Sequence, residues 1–366
     1  MSKIAIVGCG VIGAAIAYEL SQIPELEITV FDKQAPGQAA TGAALGILVG
    51  IVSQKIKGRN WQLRQNSVQR YESLIPELEN LTGLQIPFNR QGIIMLCLTE
   101  EDLPKWQNLA KIRAAAGWNL EIWDVAQLQA RCPQLNCEKV IAAIYSPQDR
   151  QLDPVALTQA LVAGATKNGV NFQFGVNVIG TDFNNVSDTM RCCQSIQTDL
   201  GKIDVDWLII SAGLGSLDLT KNLQQPIDIQ PVLGQALHLK LEQSMGLPDF
   251  QPVITGDDVH VAPLGKGEYW VGATVEFPQN GGEIIANGDY LEAVRQQAIA
   301  FFPALANAEI LKTWSGLRPR PEGRPAPVIG NLPGFNNVLL ATGHYRNGIL
   351  LAPATAQAIR QAIVFV

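Results

Sequence analysis

The sequence predicts an α/β protein in which a parallel-sheet unit and an antiparallel-sheet unit interleave along one chain. Three observations lead there. Residues 4–32 read as strand, glycine-rich turn, helix and strand, a βαβ opening. Residues 229–277 are strand-rich and alternate with period two, as in Val259-His260-Val261 and Tyr269-Trp270-Val271, the pattern of an antiparallel sheet with one covered face. Residues 338–364 then return to strand, glycine-bearing loop and helix.

In chain order, the apolar run 4–7 is a buried strand and the periodic segment after Gly13 is a helix to Leu20. Residues 28–31 form the second strand, ending at Asp32. The Ala- and Gly-rich stretch 39–50 reads as a loop feeding a short buried helix. Helical periodicity follows at 61–81 and 103–116, with an apolar strand at 93–98 between them. Asp153-Pro154 starts another helix, a side-chain cap followed by proline at the first helical position, and Asn168-Gly169 ends it. Strands are expected at 171–179 and 207–210, a helix at 289–302, and a turn through Gly316-Leu317-Arg318-Pro319-Arg320-Pro321. No internal repeat or low-complexity tract interrupts the pattern.

With 366 residues, 47% of them hydrophobic, the chain can bury two domains that share a cleft. The net charge is −6 and basic runs are missing, which argues against nucleic acid and anionic membranes as partners. No apolar stretch reaches the about 20 residues of a spanning helix. Met1-Ser2-Lys3 leads straight into the first strand, which fits neither a signal nor a transit peptide, so a cytoplasmic protein is expected. The six cysteines and three histidines lack metal-finger spacing, and no metal is expected. Cys192-Cys193 falls in a strand pattern.

Gly8, Gly10 and Gly13 make the G-x-G-x-x-G pattern. The first glycine permits the tight turn, the second lets backbone approach a pyrophosphate, and the third lets helix and strand pack closely. The helix behind them turns its unpaired N–H groups and positive dipole end toward phosphate. A bare glycine pattern is weak evidence, but this one follows a strand and opens a helix. Asp32 stands 19 residues past Gly13, near the spacing at which a carboxylate accepts ribose hydroxyls. The segment therefore reads as a dinucleotide site. Two further small-residue segments, 39–46 and 343–350, could press backbone against a bulky ring system; the second again lies between a strand and a helix. Either alone also reads as a packing loop. Together with the first motif they favour FAD over NAD.

Taken in order, the opening motif, the loop with Ala40-Thr41-Gly42-Ala43-Ala44, Ser211-Ala212-Gly213, Gly316-Leu317-Arg318-Pro319 and the segment from Gly343 to Pro353 resemble the D-amino-acid oxidase superfamily. Within it the chain is most similar to the glycine oxidases of thiamine biosynthesis, over essentially its whole length. The resemblance implies a Rossmann-like FAD-binding domain of D-amino-acid oxidase type, built from 1–85, 146–226 and 318–366. It implies a substrate domain from 86–145 and 227–317, whose antiparallel sheet roofs the flavin. FAD would be held by Gly8, Gly10, Val11, Ile12, Gly13, Asp32, Lys33, Ala40, Thr41, Leu45, Gly46, Ile47, Ala212 and Gly213. Val178 would lie beside the adenine, and His344, Tyr345, Arg346, Asn347, Gly348, Ile349 and Leu350 along the flavin. Arg318 matches the arginine that binds the substrate carboxylate in the family, and Arg346 a second arginine position. His260 stands where glycine oxidases carry a tyrosine, a departure that shifts either the group used or the substrate preferred. Relatives of sarcosine-oxidase type attach flavin through a cysteine in the C-terminal half. This chain has no cysteine beyond Cys193, so non-covalent FAD is expected.

The chemistry is consistent with that likeness. Arginine presents a rigid donor fork that matches a carboxylate at two points, so one buried arginine fixes the orientation of an amino acid. Once the carboxylate is fixed, positioning and electrostatics suffice, and no dedicated base is named. Arg320 and Arg324 read as solvated loop residues. His260 reads equally as a tuning group or as a structural residue. The expected activity is oxidative deamination of glycine, sarcosine or a small D-amino acid to imine, then oxo acid and ammonia, with dioxygen as acceptor and peroxide as product. A thiazole synthase is an expected acceptor of the imine, and a homo-oligomer is possible. The alternatives are a D-amino-acid dehydrogenase that reduces a quinone, a non-catalytic FAD-bearing assembly subunit, and an NAD dehydrogenase.

Overall fold

Parallel pairing organises the first unit of this computed structural model, which describes residues 1–278 and 284–364. Its six-stranded sheet has the order Val328–Asn331, Val338–Thr342, Trp207–Ile210, Ser2–Val7, Leu26–Asp32, Asn171–Phe174. All neighbours are parallel except Val328–Asn331, which runs antiparallel on the edge. Ile4, Ala5, Ile6 and Val7 are buried because helices or strands cover both faces of the central strand. One face carries helices Val11–Leu20, Arg59–Thr82, Pro154–Lys167 and Gly348–Val364, joined through residues such as Ile16, Leu74, Leu161 and Ile359. The other face packs Phe31, Ile210 and Leu340 against a three-stranded meander through Val178, Cys193 and Ile196. The capped start at Asp153 is present: its Oδ1 accepts the N–H groups of Val155 and Ala156 at 2.8 and 3.0 Å.

The second sheet has eight strands, in the order Glu309–Pro321, Ile229–Lys240, Glu268–Gly272, Val259–Gly265, Val253–Gly256, Ile93–Cys97, Ala142–Ser146, Glu121–Trp123. It is antiparallel except where Val253–Gly256 meets Ile93–Cys97 in parallel. Helices Val125–Arg131 and Gly288–Phe301 bury one face with Leu128, Val294 and Phe301. The opposite face, with Met95, Ala236 and Trp270, is turned toward the glycine turns of the first unit.

Three sequence expectations are corrected. Residues 39–50 hold no short helix; Ile47–Leu48 is instead a strand paired with Arg150–Leu152. The reason is a distant side chain. The buried Asp149 carboxylate accepts the N–H groups of Gly50, Ile51 and Val52 at 2.7–2.8 Å, supplying from outside the bonds a helix would make within itself. The turn expected at 316–321 is the end of a strand, Glu309–Pro321. Its prolines are tolerated because this strand is the sheet edge, with no ladder partner on one side. The strand expected at 171–179 splits into Asn171–Phe174 and Val178–Asn185, since Gly175 turns the chain with φ +77° from one sheet to another.

Candidate functional site: one long cavity between two sheets

The C-terminal ends of the parallel strands and the inner face of the second sheet enclose a cavity of ≈ 1370 Å³. Pockets for a single small ligand span roughly 300–1,000 Å³. This one has room for a dinucleotide and a second, smaller molecule.

At its nucleotide end the wall is backbone. Helix Val11–Leu20 begins at Gly10, whose position carries no side-chain cap. Thr41 Oγ1 accepts the Val11 N–H at 3.0 Å, fixing the loop 39–46 against the helix start. Gly13 is the packing glycine of the motif: a Cβ there would stand 1.8 Å from the Gly8 carbonyl oxygen. At Gly10 a Cβ would crowd Thr41 Oγ1 at 3.1 Å and project from the glycine turn that lines the cavity. Asp32 closes this end. Its Oδ2 accepts the Cys9 N–H at 2.6 Å and its Oδ1 the Gln34 N–H at 2.9 Å, which leaves lone pairs for hydroxyl donors. Lys33, Ala40, Leu45, Gly46, Ile47, Val178, Ala212 and Gly213 complete the wall. Gly8, Gly10, Val11 and Ile12 line it as well.

In the middle of the cavity the second small-residue segment, His344 to Ile349, contributes another helix start. His344 is buried, with Nε2 3.0 Å from Thr355 Oγ1, and burial pulls its imidazole down to about 3, so it is neutral. Asn347 Oδ1 accepts from Arg64 Nη2 at 2.9 Å, while Arg64 Nη1 donates to the Val49 carbonyl at 2.5 Å. Two of the expected cofactor residues, Gly13 and Leu350, fall outside the cavity wall: Gly13 packs against the turn, and Leu350 is buried among the helices.

At the roof the wall is side chains. Arg318 Nη1 donates to the carbonyls of Leu233 and Thr274 at 3.1 and 3.0 Å. The guanidinium lies over Gly234, where a Cβ would stand 2.2 Å from Nη2. Both Nη1 protons are thus used, and the Nη2 edge remains for a ligand in the cavity that Arg318 lines. Burial, with the charge of Arg346 nearby, lowers its pKa, which leaves arginine charged at neutral pH. Arg346 Nη2 donates to Asp258 Oδ1 at 2.7 Å. Burial works against both charges, but the pairing more than offsets it, so Arg346 is held up and Asp258 down. His260 Nδ1 is 2.7 Å from Thr255 Oγ1; burial, then the Arg346 charge, pulls the ring down to about 4. Trp270 and Trp314 meet edge to face at 5.9 Å and supply apolar wall.

The structure thus brings Arg318, Arg346 and His260 into one cavity with the glycine turns. Sequence reasoning passed over Asp258 and Arg64. Asp257-Asp258 carried a turn signal that marked a hairpin tip, but nothing in one sequence couples that tip to Arg346. Arg320, expected as a solvated loop residue, instead lies in the strand Glu309–Pro321, half-buried and paired with Glu322 at 2.6 Å. Among the described residues no cluster of His, Cys, Asp and Glu could hold a metal ion, and no helix is long and apolar enough to cross a membrane.

The donor set fits FAD. The glycine turn and helix start suit the pyrophosphate, Asp32 suits a ribose, and the second helix start lines the same cavity. No cysteine is among the residues that line the cavity, in keeping with a non-covalent cofactor.

Fold and site together define a dinucleotide-binding protein whose cavity is roofed at its other end by charged side chains. Residues 3–362 match the family model described as FAD dependent oxidoreductase, and the chain belongs to that family. It is 31% identical over 99% of its length to the Bifunctional protein ThiO/ThiG of Synechocystis sp., of which it covers 52%. The chain therefore spans about half the length of that relative. A Glycine oxidase of Bacillus licheniformis is 27% identical, with 98% of this chain and 92% of that protein covered. The crystal structure of glycine oxidase from Geobacillus kaustophilus superposes with a TM-score of 0.85 at 25% identity, covering 99% and 95% of the two chains.

Proposed function

We propose that the chain oxidises the carbon–nitrogen bond of a small amino acid, with glycine, sarcosine and small D-amino acids as the candidate class. One observation carries this reading. A charged arginine, Arg318, has a free guanidinium edge in the same cavity whose other end is a dinucleotide-binding glycine turn.

The two carbonyls that hold Nη1 and the bed at Gly234 set the plane of the fork before substrate arrives, so little freedom is lost on binding. Trp270 and Trp314 border the remaining space and lower the local dielectric, which strengthens a guanidinium–carboxylate bond. His260 and His344 are neutral and add no cation to the site. Non-covalently bound FAD supplies a two-electron acceptor that dioxygen restores with release of hydrogen peroxide. The imine product takes up water to give an oxo acid and ammonia, or methylamine in the case of sarcosine, or passes to a thiazole synthase, a role the resemblance to thiamine-pathway glycine oxidases supports.

The test is rapid reoxidation of the substrate-reduced protein in oxygenated buffer. Fast recovery of the oxidised spectrum supports an oxidase; slow recovery that a soluble quinone accelerates points to a dehydrogenase instead.

A further inference from the structure

We propose that Asp258 is a specificity-determining residue: its carboxylate occupies Arg346 and so restricts the site to amino acids with a single carboxylate. This deepens the proposed amino-acid reading and rests on it.

The roof of the cavity contains two guanidinium groups, and they are not equivalent. Arg318 is held by main-chain carbonyls, and among the described residues no carboxylate touches it directly; Asp258 and Glu276 act on its charge only at longer range. Arg346 meets a full negative charge at 2.7 Å. Asp258 and His260 both line this end, as do both arginines, and His260 is held neutral by burial. The other basic residue on the same strand as Arg318 that lines the cavity, Lys312, lies six positions away, about 20 Å along an extended strand. Among the described residues one of the two guanidinium groups is ion-paired and the other has no carboxylate in direct contact. One substrate carboxylate matches it.

A second carboxylate, on the substrate nitrogen or side chain, finds no free guanidinium. It meets a guanidinium already neutralised by Asp258. The location of Asp258 favours such a role. It sits at the tip of the hairpin between Val253–Gly256 and Val259–Gly265, with Asp257 at φ +50° and Asp258 at φ +64°. It reaches from the roof sheet to the segment Tyr345–Asn347 of the first unit, so one ion pair spans the cavity mouth. Its side chain is 63% exposed in the open cavity, so it can meet an incoming ligand.

Asp258→Asn tests the proposal with the backbone preserved, because asparagine tolerates the left-handed conformation better than other non-glycine residues. Asp258→Gly, which adopts that conformation freely, guards against an effect peculiar to asparagine. FAD-loaded protein is titrated with acetate and with malonate, each followed through the visible spectrum of the bound flavin. Sarcosine and iminodiacetate, which differ by one carboxylate, are compared as substrates. In both variants the preference for mono- over dicarboxylate should fall about ten-fold, equivalent to about 1.4 kcal/mol. That gain should disappear in Asp258→Asn/Arg346→Ala, since it depends on the freed guanidinium. A preference unchanged in both variants, with acetate still bound, overturns the role of Asp258 and leaves the amino-acid reading standing. A gain that survives loss of Arg346 also overturns it. Acetate binding that is absent from the native protein overturns the amino-acid reading, and the proposal with it.

Discussion

The two ends of the cavity recognise their ligands by different means. The nucleotide end works through main chain: glycines that admit close approach, a helix start without a side-chain cap, and a single carboxylate at Asp32. The roof works through charged side chains, with Arg318, Arg346 and Asp258 brought together from three separate segments. A backbone site tolerates changes of charge better than changes of volume, because its donors are fixed by dihedral angles. A side-chain site behaves the other way round. Substitutions at the two ends should therefore fail differently.

The largest effect is expected at the roof. Arg318→Ala removes the guanidinium whose Nη2 edge faces the cavity, and loss of a charged partner in a desolvated pair costs about 2–5 kcal/mol. Its kcat/KM for a small amino acid should drop about 100-fold or more while FAD content stays unchanged; a variant that loses flavin instead erases the distinction between the ends. At the nucleotide end, Asp32→Ala removes charge-assisted bonds worth about 1.5–3 kcal/mol. FAD affinity, measured by fluorescence titration of apoprotein, should weaken at least about ten-fold with little change in amino-acid KM. Gly13→Ala tests volume: a Cβ aimed at the Gly8 carbonyl must push helix and turn apart, at about 1–3 kcal/mol, read as a lower Tm that added FAD only partly restores.

The most gradual effect concerns pH. His260 is half-buried and His344 buried, and loss of hydration pulls the two rings from 6.5 down to about 4 and about 3, so both are neutral. Between pH 6.5 and 4 the unfolded chain binds protons at these two positions that the folded chain refuses. Their contribution to stability is complete above pH 6.5 and is lost on acidification toward the folded values. The slope is about 1.4 kcal/mol per pH unit for each proton. Tm should decline below pH 6.5, and His344→Gln should flatten that decline; an unaltered slope would show the ring to be exposed to water.

The same contrast explains what could be read from the chain. Backbone recognition leaves a mark in one dimension, since glycine spacing and an acid 19 residues on specify a turn, a helix start and a ribose acceptor. The strand–helix order, the Asp153 cap and the two small-residue segments were legible for that reason. The stretch 39–50 was not, because its conformation depends on Asp149, about a hundred residues away, whose carboxylate takes three consecutive N–H groups. The prolines at 319 and 321 read as a turn because edge position is a property of the sheet and not of the segment. Arg318 and Arg346 were visible through resemblance, whereas the pairing of Arg346 with Asp258 joins residues 88 apart and has no periodicity to announce it.

Anaerobic addition of glycine, sarcosine and D-alanine to the purified, flavin-loaded protein asks whether backbone-held FAD and the Arg318 fork serve one reaction. Loss of the yellow absorbance with at least one of the three, abolished in Arg318→Ala at equal FAD content, is the expected result. Absorbance that persists with all three, or bleaching that is indifferent to Arg318, would contradict it.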